Sequence, residues 1–403
     1  MTRNFGPHIN DLVNRVKKSL NILKVISHFD WGADRKTLLN LYISLCLSKM
    51  DYACQIYGSS CKTNLEKLDI VHNLGLRICT GAYSTSPIAS LYVDSGLPPL
   101  SIRREELSLR YLSKSLTSNS NPNYKYVKAP VDRAANRHRL PKPLEVRLEK
   151  ESRDLGLLTT PIAQVAYPKS PPWCKSPFDI CPVVGGKKNY SIEEIKREFL
   201  QHSLQHKGHS IFTDGSKSED GVGCAVVVGN YVVKKKLPPT CSIFTAELYA
   251  VLEAVKYVFN TGKNDDSFTI YSDSSSLLSS LKQLIPFHHL VQEVQEWLAL
   301  LYFRKRIRVS FCWVPAHVGI DGNERADKAA KESIRLQNQA LINLPYSDFK
   351  QVIHTYVSRK WQTVWDNING NMKLKAIRPS VKRWQSSYHP DRRIGILLTR
   401  LRI

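Results

Sequence analysis

Apolar residues recur every three or four positions across residues 8–116, the pattern of helices that bury one face. Leu12, Val16, Leu20 and Leu23 mark one helix, and Leu38, Leu41, Tyr42 and Leu45 a second. A third is predicted from Asn64 to Ile78, with Leu65, Leu68, Val71 and Leu76 turned inward, and a fourth, basic at its start, from Ile102 to Leu116. Ser86-Pro87 and Gly96-Leu97-Pro98-Pro99 break the pattern, because proline lacks the N–H that a continuing helix needs. Residues 117–200 read differently. Ten of the 21 prolines lie there, among them Pro141, Pro143, Pro171 and Pro172, and long apolar runs are few. An extended linker with some local order is expected, with Trp173 and Phe178 packing on a neighbour.

From His209 the period shortens to that of strands. Ser210-Ile211-Phe212-Thr213-Asp214 is apolar and ends on a carboxylate; Val222 to Gly229 and Tyr231 to Lys236 flank a Gly229-Asn230 turn. Ile243 to Asn260 is helical, with Leu248, Val251, Leu252 and Val255 on one face. Phe268 to Asp273 is a strand that again ends on an aspartate. Helical segments Ser275 to Leu284 and His289 to Phe303, a strand from Arg308 to Val314 and a helix from Gly322 to Leu336 follow. The order βββ-α-β-α-β-α predicts an α/β sandwich with a mixed sheet. Beyond Pro345 the chain is basic and carries Trp361, Trp365 and Trp384, with helical stretches whose packing the pattern leaves open.

Charge adds a partner to this picture. Lys and Arg number 58 against 35 Asp and Glu, a net charge of +23, and such an excess points to a polyanion, most commonly nucleic acid. No apolar run of about 18 residues predicts a membrane span, and the polar opening is not that of a secretory signal. The nine cysteines are scattered without a CxxC pair, and Cys174 and Cys181 lack a nearby histidine, so no zinc site is expected. A reduced, intracellular protein, of cytoplasm or nucleus, is the reading; oligomeric state is not legible.

Four acids fall where these elements end or begin: Asp214 ends the first strand of the sheet region, Glu247 lies early in its first helix, Asp273 ends the fourth strand and Asp327 sits in the last helix. Carboxylates that converge repel one another unless a cation compensates, and hard oxygen ligands suit Mg2+ or Mn2+. Two such ions about 4 Å apart would clamp an in-line phosphoryl displacement.

The local context of these acids is specific. Thr213-Asp214-Gly215-Ser216, Ala246-Glu247-Leu248, Ser272-Asp273-Ser274 and the run from His317 through Asn323-Glu324 to Asp327 resemble type 1 ribonuclease H, in that family's chain order. The resemblance implies a ribonuclease H-like mixed five-stranded sheet with flanking helices over 205–340, preceded by a mostly α-helical domain. It implies that Asp214, Glu247, Asp273 and Asp327 are ligands of two metal ions, and that His317 assists product release or proton transfer. The implied substrate is the RNA strand of an RNA–DNA hybrid, told apart by 2′-hydroxyl contacts. Gly215, whose lack of a side chain lets phosphate come close, and Ser216, Ser274 and Asn323 are candidates to line the substrate. Lys234-Lys235-Lys236 and Arg304-Lys305-Arg306 could track phosphates or be solvated faces; Glu253 and Asp321 read as a helix-surface charge and a turn residue.

A wider resemblance covers most of the chain. Trp31-Gly32-Ala33-Asp34, Leu47-Ser48-Lys49-Met50-Asp51-Tyr52, Leu76 to Ala82 with Ser86-Pro87, Pro98-Pro99-Leu100, Arg103-Arg104 and Trp313 to Gly319 are similar to the segment after the polymerase in non-LTR retrotransposon polyproteins of arthropods. The aromatic-x-Asp-Asp hairpin of a reverse transcriptase is missing, and Asp265-Asp266 reads as a turn. Family members continue past Arg400-Leu401-Arg402 into a His/Cys-bearing tail, so a fragment of an element is expected. Its parts would be 1–116, helical; 117–200, linker; 205–340, ribonuclease H; and 341–403, a truncated basic tail. Endonucleolytic cleavage of hybrid RNA is the leading expectation, and a non-catalytic nucleic-acid-binding remnant is the second. An exonuclease would place an Asp-x-Glu pair on the first strand, where Asp214 is followed by Gly215 and Ser216. A transposase would place a glutamate where Arg308 stands.

Overall fold

The computed structural model describes residues 5–129, 142–165, 171, 178–182, 190–205, 208–368, 372–382, 384 and 388–403; Pro141, Pro172, Trp173 and Cys174 lie outside them. The chain divides into two compact units. One takes the described residues of Met1–Leu116, Ser120–Thr159 and Val352–Ile403, the other those of Thr117–Asn119 and Thr160–Gln351.

The second unit is built on a six-stranded mixed sheet. Its strands are β1 (Ile180–Pro182), β2 (His209–Ser218), β3 (Gly221–Val228), β4 (Tyr231–Leu237), β5 (Ser267–Ser272) and β6 (Arg308–Trp313), in the order β1-β6-β5-β2-β3-β4. β2, β3 and β4 run antiparallel, whereas β5, β6 and β1 extend the sheet from β2 in parallel. The five strands expected within 205–340 are all present, and a sixth joins them from outside that range. β1 comes from within the 117–200 stretch and pairs with β6 from Ile180 opposite Phe311 to Pro182 opposite Trp313. Three residues are too few to show an alternating pattern, so only the pairing reveals it.

Side chains alternate across the sheet, as the strand period of two requires. Ile211, Ile270 and Phe311 face one layer, made by α2 (Ile243–Thr261), α3 (Ser275–Leu281) and α4 (His289–Lys305), which bury Leu248, Val251, Leu277 and Leu298 there. The next residues along each strand, Phe212, Tyr271 and Cys312, face the opposite layer. Two helices cover that face. α5 (Asp321–Ser333) brings Ala329 and Ala330 against Ala225, small side chains that allow close approach. α1 (Ile192–Gln205) lays Ile195 and Phe199 over Tyr271 and Cys312. A helix here is a second correction to the linker reading. Ser191 and Glu194 form a reciprocal capping box, the Glu194 N–H bonding the Ser191 hydroxyl at 3.2 Å and the Ser191 N–H bonding the Glu194 carboxylate at 2.7 Å.

The first unit is helical. Helices Gly6–Ile26, Arg35–Tyr42, Lys62–Thr80 and Leu100–Ser115 pack Leu12, Leu20, Leu38, Leu68 and Leu76 into one core. Asp34 caps the second of these by accepting the Lys36 and Thr37 N–H groups at 2.8 and 3.1 Å. Arg103 holds Asp51 through two bonds of 2.6 and 2.5 Å, and Arg77 donates to the carbonyls of Tyr83 and Ser86. Arg35 and Asp94, both fully buried, pair at 2.8 Å. Beyond Pro345 the chain is helical: α6 (Tyr346–Asp366), which belongs to this unit from Val352 on, buries Phe349, Ile353, Val357, Trp361 and Trp365, one at every fourth position. Val357, Trp361, Trp365 and Leu374 belong to this unit's core. Among the described residues no helix is long and apolar enough to cross a membrane.

Candidate active site

The register of β2 on β5 places the first two acids. The ladder ends with Phe212 opposite Tyr271, so Asp214 and Asp273, each two residues further on, come level; Asp273 follows the end of β5, but Asp214 does not end its strand as expected, because β2 runs on to Ser218 in pairing with β3. Trp313, from the neighbouring β6, steadies this end by donating its indole N–H to the Asp273 carbonyl at 2.9 Å.

Glu247 arrives on the first turns of α2. The Ser242 hydroxyl caps that helix by accepting the Thr245 N–H at 3.1 Å. Asp348, buried and far along the chain, then braces the cap: its carboxylate accepts the Ser242 N–H and the Ser242 and Thr245 hydroxyls, each at 3.0 Å. So held, α2 comes hard against β2 at Gly215, where a Cβ would stand 2.6 Å from the Glu247 nitrogen and 2.9 Å from the Ala246 carbonyl carbon. Only glycine admits that approach. In the fold, the bare Cα of Gly215 brings a helix backbone close.

Asp214, Glu247 and Asp273 thereby offer carboxylate oxygens within 4.8 Å of one another. Asp214 and Glu247 are buried, and the cluster titrates accordingly. Burial, and then the charges of Asp273 and Asp327, push Asp214 up to about 7. Burial, and then Asp214 and Asp273, push Glu247 up to about 9. The Gly215 N–H draws both partly back. Asp273 is raised by burial too, while its own backbone N–H, the Asn323 side chain and His317 oppose the rise. Glu247 Oε2 is buried and has no hydrogen-bond partner among the described residues. A hard cation would relieve both the repulsion and the orphaned oxygen, so these residues fit a divalent ion.

Asp327 is not one of the three. It groups with His317 and Glu324, ligand atoms within 4.8 Å of one another, and holds Lys331 at 2.7 Å. It is still near enough for its charge to raise Asp214 and Asp273. His317 is exposed and sits in the left-handed region at φ 57°, on a loop braced by the Gly319 N–H, which donates to Glu324 at 3.1 Å. Asn323 is buried and bonds Asp273, and its Oδ1 has no partner among the described residues. The remaining candidates are not drawn to the acids by any hydrogen bond among the described residues. Ser216 lies along β2 opposite Gly223, and the Ser274 hydroxyl stands 3.4 Å from that of Ser276.

Half of the six residues in the basic runs are engaged through their side chains. Lys234 pairs with Glu332 at 2.5 Å and Lys235 with Glu253 at 3.8 Å, which makes Glu253 a half-buried partner instead of a free surface charge. Lys305 donates to the Phe259 carbonyl, and Asp321 opens α5 and faces Arg325 at 3.9 Å. Trp313 and Glu324 stand inside the quoted motifs without an assigned role, and two contributors, Lys331 and Asp348, lie outside them. Only Lys331 carries a local signal, standing one helical turn after Asp327.

No curated protein matches the chain. The RNase H family model matches residues 206–335, which run from just ahead of β2 to just past α5 and include all four acids and His317; the chain therefore contains an RNase H domain.

Proposed function

We propose that this protein is an endonuclease that hydrolyses the RNA strand of RNA–DNA hybrids with divalent metal ions. An RNase H domain implies action on such hybrids in general. The observation that carries the finer reading is the trio of carboxylates gathered from β2, α2 and the end of β5, with one buried oxygen that has no partner among the described residues. In this reading Asp214, Glu247, Asp273 and Asp327 hold two Mg2+ or Mn2+ ions. Bound there, the ions would activate the attacking water and stabilise the leaving oxygen, giving a 3′-hydroxyl and a 5′-phosphate.

The chain's own groups have separate tasks. Asn323 and the Trp313 indole keep Asp273 facing the cluster, and Asp348 keeps α2 and so Glu247 in register. Lys331 neutralises Asp327. His317, exposed on its braced loop, is positioned to pass a proton at the leaving group or to speed product release. Ser216, Ser274 and Asn323 are proposed to meet the substrate, with 2′-hydroxyls marking the RNA strand. The +23 charge suits a polyanion. We further propose that the chain derives from a non-LTR retrotransposon and acts inside the cell, where it would clear template RNA; the motifs of residues 31–104 support the derivation. The test is cleavage of a labelled hybrid by the full chain in Mg2+ or EDTA, with double-stranded RNA and DNA alongside and Asp273→Asn as control. Metal-dependent cutting of hybrid RNA, lost in the control, is expected. Tight binding without cutting by the folded wild type would refute the catalytic reading in favour of a binding remnant.

A further inference from the structure

α1 lies ahead of the 206–335 match, yet it is built into the face that carries the site. Ile195, Phe199 and His202 form one helical stripe. Phe199 meets Tyr271 edge-on at 5.3 Å and Phe212 at 6.2 Å, and His202 packs on Tyr271 at 6.1 Å. The same cluster takes in Val318 and Ile320, which flank Gly319 on the His317 loop. The stripe fixes the helix on the sheet, and the next residue after Ile195 is thereby aimed at that loop. Lys196 Nζ and Cε lie 2.7 and 2.8 Å from where a Cβ on Gly319 would stand. With φ of +76°, Gly319 is a position for glycine on conformational grounds, and the bare Cα leaves the lysine head resting over the loop backbone.

Lys196 is exposed and makes no hydrogen bond or ion pair with any described residue, in contrast to Lys234, Lys235 and Lys331. The nearby Glu324 is occupied by the Gly319 N–H. An unneutralised ammonium, set on a helix docked by the partly buried Ile195, Phe199 and His202 and resting over Gly319, two residues from His317, suits a phosphate oxygen. We propose that Lys196 is a substrate-binding residue that contacts a backbone phosphate of the nucleic acid beside the His317 loop, so that α1 is a working part of the nuclease. The proposal rests on the hybrid-cleaving reading above.

The test is steady-state cleavage of a labelled RNA–DNA hybrid by the full chain over a range of KCl, comparing wild type, Lys196→Ala and Lys196→Arg. One phosphate contact gives a salt slope of about 0.7–0.9 in log affinity and about tenfold in affinity at low salt. Lys196→Ala is expected to raise KM about tenfold at low salt and make its salt dependence shallower by about 0.7–0.9, with kcat little changed. Lys196→Arg, which keeps the charge, should restore both. If the wild type cuts hybrid and Lys196→Ala keeps the wild-type salt slope, this proposal alone is overturned. The same holds if Lys196→Ala lowers kcat and Tm together and arginine fails to rescue, because that is a structural role. A wild-type chain that neither binds nor cuts hybrid overturns both readings.

Discussion

Replacing Asp214 with asparagine removes a buried charge from between Glu247 and Asp273 while keeping the side chain's shape, so the metal-free protein should become more stable as its chemistry is lost. Asp214 stands at about 7 because of burial and its acidic neighbours. An ordinary aspartate lies near 3.9, and each pH unit between the two is worth about 1.4 kcal/mol, which sets a ceiling of about 4 kcal/mol. The neighbours share the repulsion and water can enter, so about 1–3 kcal/mol is expected at pH 8, or about 3–10 °C in the Tm of the sheet unit. The sign follows from linkage. A carboxyl whose folded pKa is raised contributes its full stability below the unfolded value near 4 and loses it as pH climbs through about 7. The gain from Asp214→Asn should therefore be absent near pH 4 and grow up to pH 8. Scanning calorimetry of the full chain in EDTA across that range measures it. Mg2+ should then raise the wild-type Tm more than the variant's, by mass action on the folded site. A variant less stable than wild type at pH 8 in EDTA, or a gain independent of pH, would refute the repulsion argument.

Asp273→Asn should cut hybrid cleavage by about 10²–10³-fold or more while hybrid binding in EDTA survives; filter binding beside the cleavage assay separates the two. Asp348→Ala removes three bonds from the cap of α2 and should cost about 2 kcal/mol, with cleavage falling as Glu247 loses register. Thermal melts against activity report it, and an unchanged Tm counts against the bracing role. Gly215→Ala drives a methyl into the α2 backbone, so a loss of about 1–3 kcal/mol together with most activity is expected. Full activity there would mean that α2 yields more readily than its packing implies. His317→Ala should lower kcat by about 10²-fold with KM nearly constant and should alter the pH–rate profile; an unchanged kcat removes the histidine from the reaction.

The parts of the fold that could be read directly are those in which a local pattern and a tertiary contact agree. Ile211, Ile270 and Phe311 alternate with Phe212, Tyr271 and Cys312 because both faces of the sheet are covered, and the two aspartates come level because each stands two residues past the Phe212–Tyr271 pair that closes the ladder. What escaped reading depends on partners distant in sequence. β1 is a strand only because β6 is beside it. Asp348 bears on the site only because the chain returns to the start of α2 about a hundred residues after Ser242. α6 is legible as helical, with an apolar residue at every fourth position from Phe349 to Trp365, but the pattern alone does not say what that stripe packs against. α1 is the instructive case. Ser191 and Glu194 announce a helix start, and Ile195, Phe199 and His202 keep helical spacing, yet ten prolines spread over 117–200 outweighed fourteen helical residues at its end. Composition averages over a stretch, whereas a capping box and a stripe act at single positions. The elements closest to chemistry are held by the latter, so a short, well-capped segment beside a Pro-rich stretch merits its own reading before the whole is treated as a linker.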